Sequence, residues 1–156
     1  MSEHRATVQW QCSEGEAFAR GRYSRAHTWH FDGGAQVHAS ASPHVVKAPW
    51  SDPAGVDPEE AYIAALSSCH MLWFLSLAAA AGFVVESYAD DAVGHMTEVR
   101  PQRPAVTLVI LRPRVIFDAA HAASAAQLEA LHHAAHDHCF LANSVRTEIR
   151  IESRPA

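Results

Sequence analysis

A chain of 156 residues and 17.0 kDa fits one domain with a real hydrophobic core. Its 49% hydrophobic and 19% charged residues exclude a disordered class. The net charge of -5, with Lys47 the one lysine and the arginines scattered, leaves no basic block for nucleic acid.

The first residues, "MSEHRATVQW", lack the basic and apolar regions of a secretory signal. The longest apolar run, from Met71 to Val85, is rich in alanine and broken by Ser76 and Gly82. That suits a buried helix better than a membrane span. A cytoplasmic protein that does not enter a membrane is expected. In that compartment three cysteines form no structural disulfide framework. Each is a small hydrophobe, a metal ligand or a reactive thiol.

In chain order, residues 5–12, "RATVQWQC", alternate apolar and polar and predict a strand. "GEAFARGRY" and "HTWHF" predict further short strands, with turns at Gly21 and Ser24. "DGG" at 32–34 is a hairpin signal, and "AQVHASAS" follows as a strand. Residues 43–57 hold three prolines and a glycine and read as a loop. Asp57 then caps a helix, Pro58 suits its first position and Glu60 completes a capping box. Almost everything from Ala61 to Ala81 is apolar or small, and Gly82 is the stop. About 24 residues make a helix ~36 Å long. Being apolar all round, it should be buried on most faces.

Residues 83–99 and 105–117, with Pro101 and Pro104 between them, predict a hairpin with a long connection. Ser124 and Gln127 form another capping-box start, for a helix ending near Cys139 to Ala142. "SVRTEIRIES" alternates and predicts a last strand. The sequence shows no repeat and no internal boundary, so a single domain over 1–156 is expected. Strands, long helix, strands, helix and strand give an α+β class.

Two cysteines stand on the two helices, Cys69 in "LSSCHMLWFL" and Cys139 in "AAHDHCFLANSV". A lone cysteine on an apolar helix is ordinarily core filler, and Cys12, at a strand end, reads as structural. The chain also has 12 histidines. His132 and His136 share a helix face, and Cys139 follows three residues later, a spacing able to ligate zinc. No CxxC pair or HExxH motif supports a metal site, however.

"DPEEAYIAALSSCHMLWFLSLAAAAG" and "LHHAAHDHCFLANSV" together resemble the OsmC/Ohr family of thiol peroxidases. The shared pattern is a Pro-Glu pair some ten residues before a first cysteine on a long central helix, then a second cysteine on a later helix, before a short polar turn. "HCFLANSV" is closer to the OsmC side, since the Ohr side usually carries proline after that cysteine. The resemblance runs from about Tyr23 to Ile151. It implies antiparallel sheets packed around a long buried helix, in an intertwined homodimer. It also implies reduction of organic hydroperoxides by cysteine at the expense of a lipoyl-type or other dithiol, with no cofactor or metal. Cys69 would attack the peroxide and Cys139 would resolve the product. Glu59 matches the Pro-Glu glutamate, and Arg25 matches an arginine of the N-terminal strands, with Arg20 and Arg22 close by in sequence.

The residues agree with that chemistry. A cysteine in mid-helix gains little from the helix N-terminus, and burial raises its pKa, so a cation must compensate. Arginine stays charged and offers several donors. Glu59 and Cys69 are ten residues apart on the predicted helix, about 15 Å of rise, so they cannot touch unless the helix bends or Glu59 comes from a second chain. Two other functions fit the same residues: a non-catalytic OsmC-like binder of a small apolar ligand, and a zinc-binding protein using Cys139 and the histidines.

Overall fold

The structure, a computed structural model, describes residues 2–13 and 17–153. The chain forms two compact units, Met1–Ala61 and Tyr62–Ala156.

In the first unit three strands make an antiparallel sheet in the order β1 (Ala6–Gln9), β2 (His27–Phe31), β3 (Gln36–Ala39). Trp29 sits opposite Val8 on one side and Val37 on the other. The expected turn at 32–34 joins β2 to β3, with the Gly34 amide donating to Phe31. The strand expected over "GEAFARGRY" does not form among the described residues. Residues 14–16 lie outside them, Phe18–Arg20 make one 3-10 turn, and Gly21 closes it. The physical reason is local: an Ala17–Arg22 bridge and short 3-10 bonds satisfy this backbone without a sheet partner. The loop over 43–57 returns to β3, where the Ser40 hydroxyl accepts the Asp52 amide and Asp52 pairs with His38.

Helix α1 (Pro58–Ala80) begins as its sequence dictates. The Asp57 carboxylate accepts the Glu60 amide at 2.8 Å, and the Glu60 carboxylate accepts the Asp57 amide. The helix ends at Gly82, whose φ of 83° costs a residue without a Cβ nothing. There the Phe83 amide donates back to Ala78 and the Gly82 amide to Ala79, which satisfies carbonyls the helix leaves open.

Within one chain α1 is buried on one face only. Its buried residues are Leu66, His70, Phe74 and Ala78, one stripe at four-residue spacing. The opposite face, Ala65, Ser68, Leu72, Ser76 and Ala79, is exposed. Too few elements pack on α1 within one chain to cover a helix that is apolar all round. By length and composition alone α1 could cross a membrane, but its buried stripe packs as a core helix does, Phe74 and Ala78 against Val115, Leu131 and Ala135.

The expected hairpin is present, with a tighter turn and broken limbs. Strands β5 (Val93–Arg100) and β6 (Arg103–Leu111) pair antiparallel across only Pro101 and Gln102. Their outer continuations, β4 (Val85–Asp90) and β7 (Pro113–Phe117), pair separately. Pro104 is tolerated within β6 because the last strand, β8 (Glu148–Ile151), joins only at Leu108–Leu111, leaving an edge at the proline. That junction is parallel, while the other pairings between these strands are antiparallel. Gly94 on β5 lets Ile63 of α1 approach: an added Cβ would lie 2.5 Å from its terminal carbon. Helix α2 (Ala125–His138) starts with the expected Ser124/Gln127 capping box. Cys139 caps its C-terminus. The class is α+β, as expected.

Candidate active site

Helix α2 places His132, Ala135 and Cys139 on one buried face, spaced three and seven residues from the first. Helix α1 meets that face with two neighbouring stripes. His70 and Phe74 engage His132: the His70 and His132 rings stack, and His70 Nε2 lies 3.1 Å from His132 Nδ1. Phe74 stacks on the same His132 ring at 4.5 Å. Cys69 and Trp73 engage the end of α2, where Trp73 stacks on His138 and meets Phe140 edge-on. Adjacent positions of α1 therefore touch α2 residues two turns apart, so α2 runs across α1 rather than alongside it.

Cys69 and Cys139 are neighbours there, both free cysteines, near enough for Cys69 to act on the Cys139 thiol. Their environments differ. Cys139 is 2% exposed. Burial pushes its pKa up, and the neighbouring Cys69 pushes it further. Two amides oppose this, chiefly that of Ala142, which lies 3.4 Å from the sulfur. They reach the thiol because Cys139 leaves the helical conformation at ψ 113° and the chain turns back over it. Cys69 is half-exposed and lines an open recess of about 260 Å³ with Leu72, Trp73, Ser76 and Phe140. One thiol is thus open to an apolar recess and the other is buried.

Arg25 and Glu59 belong to the first unit. The Arg25 guanidinium donates to the carbonyls of Gly21 and Tyr23 and lies 3.7 Å over the Tyr23 ring. Arg20 ends the 3-10 turn and Arg22 sits in the bridge beside it. Glu59 is half-buried in the first turn of an unbroken α1, about 15 Å of rise from Cys69. Cys12 lies beyond the end of β1, exposed, its sulfur near the Ser13 carbonyl.

The zinc set suggested by His132, His136 and Cys139 does not assemble. Among the described residues no three His, Cys, Asp or Glu side chains converge as metal ligands. His132 turns to His70 instead, a pairing that sequence reasoning missed. Its signal was available, since His132 stands two turns before Cys139 on the same face and His70 stands in an otherwise apolar helix. Burial lowers both pKa values to about 4, the neighbouring histidines adding to the effect on His70. The outer nitrogens, His70 Nδ1 and His132 Nε2, are buried and make no hydrogen bond among the described residues.

Residues 51–154 match the family model described as OsmC-like protein. The chain belongs to the OsmC-like family. An OsmC-like protein of unknown function from Vibrio cholerae is 55% identical, covers 99% of this chain and 100% of its own, and superposes with a TM-score of 0.96. Two more distant structures share the OsmC-like fold. An organic hydroperoxide resistance protein from Elizabethkingia anophelis is 14% identical with a TM-score of 0.71, over 100% of this chain and 96% of its own. The organic hydroperoxide resistance protein OhrB of Bacillus subtilis is 13% identical with a TM-score of 0.67, over 99% and 98%. None of the curated proteins matches the sequence.

Proposed function

We propose that this OsmC-like protein is a thiol-dependent peroxidase that reduces organic hydroperoxides. The observation that carries the reading is the pair of neighbouring thiols, Cys69 open to an apolar recess and Cys139 buried. In the proposed reaction the Cys69 thiolate attacks the outer peroxide oxygen. The O–O bond breaks, and the alkoxide takes a proton and leaves as alcohol. Cys69 is then a sulfenic acid. The Cys139 sulfur attacks the Cys69 sulfur, the S–O bond breaks, and hydroxide leaves with the Cys139 proton as water. The product is a disulfide between the two. A dithiol of lipoyl type or another class reduces it by exchange and takes up the disulfide itself. The raised pKa of Cys139 suits this order, because a protonated thiol leaves the first attack on peroxide to Cys69. Leu72, Trp73 and Phe140 suit an apolar peroxide substituent. Fold-sharing relatives named for organic hydroperoxide resistance lend support.

The working unit in this proposal is a cytoplasmic homodimer of one domain, 1–156. Leu72 is 61% exposed on a stripe of otherwise small residues, and a second copy of α1 is the occupant that would cover it. Arg25 and Glu59 would serve the thiols across that pairing, Arg25 stabilising the thiolate and the departing alkoxide. Thiol titration tests the chemistry. Of three thiols, one equivalent of cumene hydroperoxide should remove two and leave Cys12. Retention of all three would refute the reading.

A further inference from the structure

We infer that the His70–His132 hydrogen bond is a positioning device: it sets the rotation and spacing of α1 against α2 at which Cys69 and Cys139 close as a disulfide. The inference rests on the proposed pairing of these thiols.

The two contacts share the same helices. His70 follows Cys69 on α1, and His132 precedes Cys139 by two turns on α2. A disulfide tolerates little misplacement, with Cα atoms ~4.4 to 6.8 Å apart and a narrow dihedral range. At a steep crossing, a small rotation of α1 would carry Cys69 away from Cys139. The imidazole bridge resists that rotation. It is 3.1 Å long, its residues are 1% and 4% exposed, and the His132 ring also packs on Phe74. Two apolar side chains would fill this volume without stranding His70 Nδ1 and His132 Nε2. What the imidazoles add is direction, since one ring must donate and the other accept along one line.

The reduction potential of the Cys69–Cys139 pair reads this directly. Purified full-length protein is equilibrated with mixtures of reduced and oxidised dithiothreitol, and the remaining thiols are trapped by alkylation. His132→Phe keeps a ring to stack on Phe74 and cannot bond His70. It should lower the equilibrium constant for disulfide formation at least tenfold, a potential about 30 mV less negative. His132→Gln keeps an amide able to bond His70 and should stay within about threefold. A His132→Phe potential equal to wild type, or an equal loss in His132→Gln, overturns the inference.

A second measurement needs no variant. Coupling is reciprocal, so a bridge that favours the disulfide must itself be tightened by it. Exchange of the shared ring N–H, followed by NMR in the wild type, should be slower in the disulfide form than in the dithiol form. Equal rates overturn the inference. Neither measurement contains peroxide. Failure of the peroxidase reading would instead appear as a wild-type protein that does not turn over cumene hydroperoxide.

Discussion

The Ser67 hydroxyl donates to Asp90, and the second Asp90 oxygen accepts the Arg112 amide at 2.6 Å. One carboxylate thus ties α1, two residues before Cys69, to Arg112, the single residue between β6 and β7. Asp90→Ala strands both donors. The expected loss is about 1–3 kcal/mol of stability, read as a lower urea midpoint at unchanged slope. Asp90→Asn, which keeps an acceptor, should lose less.

Cys69→Ser should abolish turnover of cumene hydroperoxide. Cys139→Ser should permit one oxidation and then accumulate sulfenic or over-oxidised Cys69, seen as added oxygen by mass spectrometry. Cys12→Ser should change neither step. Near-wild-type turnover in both of the first two variants would be incompatible with divided roles.

Burial of the His70–His132 pair makes stability depend on pH. In the unfolded chain histidine titrates near 6.5, and in the folded chain both titrate at about 4. Between those values the unfolded chain binds protons that the folded pair refuses. The pair's contribution is therefore fully present above pH ~6.5 and is lost as pH falls toward ~4, at up to about 1.4 kcal/mol per pH unit for each ring. Urea midpoints at pH 7, 6 and 5 should fall for the wild type, and fall less for the double variant His70→Phe/His132→Phe. Parallel curves would refute the assignment.

Sedimentation equilibrium at low micromolar concentration should give about twice 17.0 kDa. A permanent pair is expected to bury more than ~2,000 Å² in total. Leu72→Asp places a charge on the exposed stripe of α1 and should shift the protein toward monomer, with loss of peroxidase activity. An active wild-type monomer would sink the shared site.

Local chemistry made much of this fold legible before any coordinates. The caps at Asp57/Glu60 and Ser124/Gln127 and the stop at Gly82 fix both helices, because each satisfies orphan backbone groups within a few residues. The alternation of "HTWHF" and "EIRI" fixes strands for the same short-range reason. The Cys69 and Cys139 motifs placed the chain in its family. Other features depended on partners far along the chain. β8 joins β6 in parallel, a pairing that no local pattern encodes. Only tertiary structure decided that α1 buries a single stripe and that His132 meets His70 rather than a metal, because burial and ring pairing are set by how α2 crosses α1.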